Sequence, residues 1–528
     1  MFATIVRQGF IADGTGKKGF VGDIAIEGDE IVAIAPRITA SAHIDIDATN
    51  KIVAPGFIDI QNHSDAFWQL FEHPQLSSVL VQGFTTILVG TCGASLAPLL
   101  SHDALLSFQK WRTVEGLNVN WKSFDEFASH FAKERFGVNV GSLVGLNTIR
   151  RGIAGNDIHP FSSDEFLALT KQVVESLEAG AYGVSTGLSY AHEAKASLLE
   201  LAELGRTIHG KQRLLSVHMR NEGEGITTST EEVLDIVRHT GVNTVLSHFK
   251  FRGKEAWGYV HDTLEALEYA SHQSLPIHFN MYPYDTVWQV LYRYLPSWAI
   301  IGGRDAVLEH VRDPASRKKI VSYLNDQQLP ADRIIIAGTG KQLNVVGKTL
   351  RDIAHSLELS VEQAILELID NGGADVMVFD PALNSEQVDM LLTHPLSCIA
   401  TDGSGFPLEA NFQSYTSHTL VHPRCFGSAP RFLRWSLSGK HGVSIEEAVY
   451  KLTELPARIM GLVGRGILAV GTKADVVIFN PATVADTATL QNPYQSPQGI
   501  EHVFVNGVLS VAEGGLTEKR AGYFLRKQ

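Results

Sequence analysis

Cysteine is scarce in this chain, and its scarcity argues against a disulfide-stapled protein. Only 3 cysteines occur among the 528 residues, at positions 92, 398 and 425. Such an odd and sparse set does not build a disulfide framework, so a reducing compartment is favoured and we expect a cytoplasmic protein. Residues 1–7 also lack the charged segment followed by an apolar segment that opens a signal peptide.

Long apolar runs and an excess of positive charge are missing as well. No run of about 18 apolar residues occurs, so the sequence predicts no transmembrane helix and no membrane partner. The formal net charge of -13 argues against nucleic acid as a partner. With 44% hydrophobic and 19% charged residues, the composition is typical of a soluble globular protein with a large core. The length favours one large barrel with a satellite unit, or several domains.

Residues 54–65 form the most informative stretch of the sequence. A largely apolar run, 52–60, is interrupted once by Pro55-Gly56 and is followed by a polar cluster. This pattern predicts a buried strand whose last residues leave the core and carry chemistry. In a barrel of parallel strands, catalytic groups lie at these C-terminal strand ends, because the ends open onto one face.

Strand-like runs dominate both ends of the chain. Residues 24–34 have the pattern of a hairpin, and residues 474–480 and 503–511 have similar apolar runs with turn residues between them. We predict one small β-sandwich assembled from both termini, residues 1–53 and 463–528. Two unrelated β appendages are the alternative.

Between these ends, strand-like runs alternate with helical stretches. Residues 85–90 predict a strand, 164–179 an amphipathic helix and 181–187 a further strand. This alternation favours parallel pairing with right-handed crossovers, so the predicted fold class is α/β, with a (β/α)8 barrel of the TIM type over residues 54–462. Residues at about 288–345 do not follow the alternation and predict an insertion packed over the barrel mouth.

Five potential metal ligands share one property, because each ends or follows a strand-like apolar run. They are His63, Cys92, His218, His248 and Asp402. A barrel converges such ends on one axis, so these residues can meet although they lie far apart in sequence. A thiolate, imidazoles and a carboxylate suit zinc at a catalytic site. Each residue alone has a plainer explanation, as a structural histidine or an inert buried thiol, but five together favour a metal centre.

Six short blocks near the strand ends form a distinctive set. They are residues 89–98, 217–223, 247–250, 282–284, 400–403 and 422–431. Together they resemble the N-acyl-D-amino-acid deacylases, or D-aminoacylases, of the amidohydrolase superfamily, and the resemblance covers nearly the whole chain. It implies that Cys92, His218 and His248 ligate the main zinc. It also implies that Asp402 holds the water and acts as base, and that His63 belongs to a second, weaker metal position.

Two of the departures from the family pattern affect the predicted site. Gln61 stands where the family has the first histidine of its pair, and an amide oxygen is a poor substitute for imidazole at zinc. We therefore expect one tightly bound zinc and a weak or empty second site. Trp288 stands near a position where the family has small residues, so we expect it to fill space at the pocket wall and to affect which side chain binds.

The predicted chemistry assigns a role to each remaining polar residue. Asp402 would take a proton from water and later pass it to the leaving amine. By family position, Tyr282 would stabilise the oxyanion, with simple packing as its alternative. Arg424 and Lys250 would bind the substrate carboxylate, and Arg220 could serve likewise. Ordinary salt bridges are the alternative for the two arginines.

The sequence therefore predicts a zinc-dependent amidohydrolase that acts on a small molecule, an N-acyl amino acid, and releases the amino acid. The preference for the D configuration rests on the resemblance alone. Two alternatives stay open. One is another C–N hydrolase of the superfamily, acting on cyclic imides or dipeptides. The other is a non-catalytic scaffold, because Gln61 is the loss of a metal ligand.

Overall fold

The computed structural model describes residues 1–108, 119–300, 303–339, 344–408 and 419–528. Strands alternate with helices through the middle of the chain, and the two ends are rich in strands. The strands are β1 (Phe2–Ile11), β2 (Phe20–Glu27), β3 (Glu30–Ala35), β4 (Ala42–Asp47), β5 (Ile52–Pro55), β6 (Phe57–Asp59), β7 (Phe84–Val89), β8 (Asn139–Ser142), β9 (Val144–Gly145), β10 (Gly183–Gly187), β11 (Leu214–His218), β12 (Asn243–Leu246), β13 (Ile277–Met281), β14 (Val287–Val290), β15 (Ile335–Gly338), β16 (Met377–Asp380), β17 (Ser397–Ile399), β18 (Val476–Phe479), β19 (Ile500–Val505), β20 (Val508–Ala512) and β21 (Gly515–Leu516).

The helices complete the set of elements, and short 3-10 segments lie at His102–Phe108, Trp257–Tyr259 and Leu291–Tyr294. The α-helices are α1 (Gln69–Glu72), α2 (Ser77–Leu80), α3 (Phe124–Phe131), α4 (Leu146–Ala154), α5 (Ser163–Glu178), α6 (Leu198–Gly210), α7 (Ile226–Thr240), α8 (Val260–His272), α9 (Ser297–Ile300), α10 (Gly303–Arg312), α11 (Pro314–Gln327), α12 (Leu350–Ser356), α13 (Val361–Gly372), α14 (Ser385–Thr393), α15 (Arg424–Leu437), α16 (Ile445–Leu452) and α17 (Glu454–Met460). Among the helices of these ranges, none has the length and apolarity needed to cross a bilayer.

A ring of parallel strands forms the centre of the molecule. Strands β6, β7 and β8 pair in parallel, and β9 to β13 with β17 form a second parallel sheet. The two sheets join where Tyr182 donates its N–H to the Ser142 carbonyl, and where Asn62 and Gly403 form a parallel bridge. Because β8 and β9 are successive parts of one strand position, the ring has eight positions, as in a (β/α)8 barrel. The predicted fold class is confirmed.

Apolar packing fills the barrel and closes one of its ends. All residues of β7, β10 and β11 are buried, as expected for parallel strands that are covered on both faces. Inside the ring, Ile58 and Val245 belong to one cluster with Met460 of α17. Asn243, the first residue of β12, donates to the Ile459 carbonyl, so α17 lies at the N-terminal end of the barrel. The C-terminal ends of the strands are not covered by α17 and can therefore carry functional residues.

Both ends of the chain join in one sheet beside the barrel. Strand β18 pairs antiparallel with β5, and the nine-stranded order is β21-β20-β19-β18-β5-β1-β2-β3, with β4 against β1. Val6 and Phe504, from opposite ends of the chain, belong to one buried cluster. Two unrelated β appendages are therefore excluded. The domain limits 1–53, 54–462 and 463–528 stay a prediction.

A second small core lies over the barrel mouth. Strands β14, β16 and β15 form an antiparallel sheet, and buried side chains between Leu291 and Val378 form a hydrophobic cluster of their own. The insertion was predicted at about 288–345, but β16, the central strand of this small sheet, follows α12 and α13 in the chain. The insertion therefore extends beyond its predicted end. Residues 301–302 and 340–343 of that predicted insertion lie outside the described residues.

Candidate metal centre

Three of the predicted ligands meet above the barrel axis. Cys92 lies in the loop after β7, His218 is the last residue of β11, and His248 follows β12. One potential ligand atom from each of these buried residues lies within 4.8 Å of those of the other two. The geometry follows from the fold, because parallel strands deliver their C-terminal ends to the same face.

The backbone turns sharply where three of the site residues leave their strands. Cys92, His248 and Asp402 have positive φ angles of 53°, 38° and 47°. Non-glycine residues rarely adopt this left-handed conformation, which costs of order 1–3 kcal/mol for each residue and is concentrated at functional sites. The surrounding packing therefore holds these three residues in a conformation that they would not adopt alone.

Each imidazole of the cluster has one nitrogen held by a neighbour. Ser189 Oγ lies 2.9 Å from His218 Nε2, while His218 Nδ1 is buried and has no hydrogen-bond partner. His248 Nε2 lies 3.3 Å from Cys92 Sγ. A buried ring nitrogen without a hydrogen-bond partner, next to a thiolate and a second imidazole, suits the donor set of a zinc site. The residues present therefore fit a zinc ion.

Glu222 orients His248, and sequence reasoning missed it. Its Oε1 lies 3.0 Å from His248 Nδ1, and Lys250 Nζ contacts both groups. A carboxylate on the far nitrogen fixes the tautomer and the orientation of a ligating histidine. The available signal was a charged residue in the loop that follows the strand end at His218.

The charge state of Cys92 also suits a metal ligand. Burial alone would raise the pKa of this thiol, but the charge of His248 and hydrogen bonds from the surrounding imidazoles hold it well below its usual range. By contrast, burial raises the pKa of the thiols of Cys398 and Cys425 to about 12. Cys92 is therefore the thiolate among the three cysteines, and thiolate is the form that binds metal.

Asp402 and His63 form a pair beside the cluster. His63 Nε2 lies 3.1 Å from Asp402 Oδ1, and Arg424 Nη1 lies 2.9 Å from Asp402 Oδ2. Burial alone would raise the pKa of Asp402, but the positive charges of Arg424 and His248 hold it well below its usual range. Asp402 is therefore an ionised carboxylate at neutral pH, which is the form that accepts a proton.

A cavity of about 190 Å³ opens above these residues. The predicted substrate-binding residues Lys250, Arg424 and Trp288 line it together with the metal cluster. Trp288 stacks on Phe67 with ring centroids 5.1 Å apart, so the indole forms a fixed part of the wall. Arg424 Nε and Nη1 are buried without a hydrogen-bond partner, although Nη1 is close to Asp402. Nη1 is engaged by its ion pair with Asp402, so Nε is the donor that remains available to an anion.

Arg220 does not line this cavity, which corrects its predicted role in substrate binding. Its guanidinium pairs with Glu232 at 2.9 Å and donates to the carbonyls of Ala194 and Ala196. Arg220 lies two residues beyond His218, a spacing that places two side chains on one face only where the strand continues. Strand β11 ends at that histidine, so the alternation does not continue to Arg220.

The predicted oxyanion-stabilising role of Tyr282 stays a prediction, and its buried hydroxyl has no hydrogen-bond partner in the described part of the chain. Its side chain is fully buried, does not line the cavity and packs under the Arg424 guanidinium, 4.6 Å from the ring centroid. A second tyrosine, Tyr190, lines the cavity and packs against His218, with ring centroids 5.0 Å apart. Sequence reasoning missed Tyr190, although it follows strand β10 and so lies near a strand end.

Arg293 is a further cavity residue that sequence reasoning missed. It belongs to the 3-10 segment Leu291–Tyr294 of the insertion, is partly exposed and lines the same cavity as Cys92 and Arg424. Burial and the nearby positive charge of Arg252 both lower its pKa. Within the described ranges it has no ion-pair partner, so the cavity contains a cation that lacks its anion.

Comparisons with known proteins show that this chain is similar to amidohydrolases. A model described as the amidohydrolase family matches residues 363–511. An N-acyl-D-glutamate deacylase of Alcaligenes xylosoxydans xylosoxydans is 31% identical over 528 residues, which cover 99% of this chain and 96% of the relative.

Two solved structures extend the similarity to the whole fold. One is an N-acyl-D-glutamate deacylase from Bordetella bronchiseptica, complexed with zinc and a phosphonate inhibitor that mimics the tetrahedral intermediate. It has a TM-score of 0.82 and 30% identity over 99% of each chain. The other is a D-aminoacylase with a binuclear metal centre, described by one-metal activation and second-metal attenuation. It has a TM-score of 0.82 and 29% identity over 100% of each chain.

Proposed function

The chain belongs to the N-acyl-D-amino-acid deacylase family of amidohydrolases, and we propose that it acts on substrates whose amino acid carries an acidic side chain. Hydrolysis of the amide bond of N-acyl-D-amino acids is its activity. The reaction yields a carboxylate and a D-amino acid. The acidic side chain of the substrate is the part that we propose, and it is supported by Arg293, which lines the cavity without an ion-pair partner among the described residues.

Zinc is the metal of this enzyme, and we propose Cys92, His218 and His248 as its ligands. Three observations support this. One potential ligand atom from each residue lies within 4.8 Å of the others, the pKa of Cys92 favours the thiolate, and His218 Nδ1 has no hydrogen-bond partner. When bound, zinc supplies a water of lowered pKa and polarises the amide carbonyl. We propose a single ion, because Gln61 offers no imidazole to a second one.

Proton transfer falls to Asp402 in this proposal. Its carboxylate takes the proton of the attacking water as the C–O bond forms, and passes it to the amide nitrogen as the C–N bond breaks. His63 and Arg424 hold the two oxygens of Asp402 in place. Tyr190 is the nearby hydroxyl group on the cavity wall and our candidate for contact with the developing oxyanion.

Two separate arginines in the cavity suit a substrate with two carboxylates. Arg424 pairs with Asp402 through Nη1 and keeps an unpartnered Nε, so it suits the α-carboxylate next to the scissile amide. Lys250 shares this task in our proposal. Arg293 lies on the insertion and suits a carboxylate at the end of the side chain, as in D-glutamate or D-aspartate. The carboxylate of an acidic side chain would replace the water that otherwise solvates the unpaired guanidinium of Arg293.

Arg293→Met is expected to change substrate preference rather than abolish catalysis. A charge-assisted contact contributes about 1.5–3 kcal/mol, so kcat/KM for N-acetyl-D-glutamate should fall by roughly 10- to 150-fold. The value for N-acetyl-D-methionine should change little or rise. Steady-state kinetics on N-acetyl-D-glutamate, N-acetyl-D-aspartate, N-acetyl-D-methionine and N-acetyl-L-glutamate measure both effects.

Arg312→Met is the matched control, because Arg312 lies on α10 of the same insertion and is exposed, where it pairs with Asp370. It should leave all four kinetic values unchanged. Equal losses on acidic and apolar substrates in Arg293→Met would contradict the proposal, as would a wild-type preference for the apolar substrate.

A cytoplasmic location is also part of the proposal. It is supported by the three cysteines, all among the described residues, which form no disulfide.

A further inference from the structure

Gln61 lies next to the proposed zinc site, and hydrogen bonds of its backbone hold it there. Asp402 N–H donates to the Gln61 carbonyl at 2.9 Å, and Gln61 N–H donates to Asp59 Oδ1 at 3.2 Å. The side chain is fully buried, and its Nε2 donates to Cys92 Sγ at 3.1 Å. Gln61 Oε1 has no hydrogen-bond partner.

The orientation of the Gln61 amide follows from the chemistry of its neighbour. A thiolate accepts hydrogen bonds and cannot donate them, so the amide must present its NH2 group to Cys92. To bind a cation through Oε1, the amide would have to rotate and give up its contact with the sulfur. The oxygen would then be a weak zinc ligand, because zinc in proteins is held by thiolate, imidazole and carboxylate.

The potential ligands of a second cation on the cavity wall are His63, Asp402 and Cys92, and they are already engaged. His63 and Asp402 contact each other at 3.1 Å, and Arg424 lies 2.9 Å from the second Asp402 oxygen. A second cation would therefore meet one amide N–H and one guanidinium at close range, and both repel it.

We infer that the Gln61 amide takes the place of a second cation beside the Cys92 sulfur, so that excess zinc does not attenuate this enzyme. The inference rests on the proposed one-zinc hydrolysis and concerns its regulation by metal. It contrasts with the similar D-aminoacylase, for which second-metal attenuation is described. Gln61 is in this sense a positioning residue that acts through the thiolate.

The test is a zinc titration of the wild-type enzyme and of Gln61→His. Zinc per chain is measured after equilibrium dialysis against increasing free zinc, and the rate is measured on the same samples. We expect one zinc per wild-type chain and a rate that stays constant in excess zinc. Gln61→His should bind a second zinc at least about tenfold more tightly than wild type does, because it gains a direct ligand. Its rate should fall as that zinc binds.

A double variant and an apolar variant keep the test specific. Gln61→His with His63→Ala should bind one zinc again, because the new pair of imidazoles is broken. Gln61→Leu, which lacks both donor and ligand, should bind one zinc.

A wild-type chain that binds two zinc ions and loses activity with the second would overturn the inference, even if no variant folds. A folded Gln61→His that still binds one zinc would also overturn it. A wild-type enzyme with one zinc and no activity on N-acyl-D-amino acids would refute the proposed function instead, so the two failures are distinguishable.

Discussion

Asp402→Asn should lower kcat by about 10²- to 10⁴-fold while one zinc stays bound, which is the range that a general base contributes. The amide has nearly the same shape as the carboxylate but cannot take a proton from water at neutral pH. Asp402 is outside the close group of Cys92, His218 and His248, so its neutralisation should leave the proposed ligands intact. Steady-state kinetics together with the zinc content of the same preparation measure both parts.

Asp23→Asn is the matched control for this substitution. Asp23 is also a buried aspartate, but it lies in the nine-stranded sheet, where it accepts the N–H groups of Gln8 and Ile38. Its substitution should lower the melting temperature and leave kcat unchanged. If Asp402→Asn kept kcat within about threefold of wild type, with zinc bound, the base would have to be another group. A loss of zinc in Asp402→Asn would instead make Asp402 a ligand.

The barrel and the ligand cluster were predictable because both follow from strand direction. Cys92, His218 and His248 lie at or just after the ends of apolar strands, and parallel strands bring such ends together whatever their separation in sequence. Sheet formation by the two chain ends was predictable for a related reason. An apolar strand such as β5 or β18 needs a partner on each edge, and the barrel strands are already paired.

The residues that sequence reasoning missed lie in loops or in the insertion. Alternation along a strand predicts which side chains share a face, and it stops applying at the last strand residue. Arg220 follows the end of β11 and turns to Glu232, whereas Lys250 follows the end of β12 and does line the cavity. Both lie two residues beyond a histidine, so spacing alone could not distinguish them.

Arg293 shows a further limit of structure prediction from the sequence. It reaches the cavity because the small sheet of β14, β16 and β15 lies over the barrel mouth. That sheet pairs strands separated by helices α9 to α13, and nothing in the local pattern of residues indicates its partner strand. The functional residues at the barrel axis were thus predictable from the sequence. Those at the rim of the cavity were identified only from the structure.

Cys92→Ala should remove the zinc ion and with it nearly all activity. Loss of groups that merely orient ligands costs about 10- to 100-fold in metal affinity, so loss of a direct thiolate ligand should cost more than about 100-fold. The remaining imidazoles of His218 and His248 carry no negative charge to offset that of the ion. Zinc content after dialysis against a weak chelator, followed by kcat at a fixed zinc concentration, measures the two effects in order.

Cys398→Ala and Cys425→Ala provide the comparison within the same chain. Both thiols are buried, and burial raises their pKa to about 12, so they are neutral at pH 7 and should not bind zinc. Their removal should leave the zinc content unchanged and affect only stability. Because the three substitutions delete the same group from equally buried positions, a selective loss of zinc from Cys92→Ala isolates the thiolate as the cause. Retention of zinc in Cys92→Ala would show that another residue completes the ligand set.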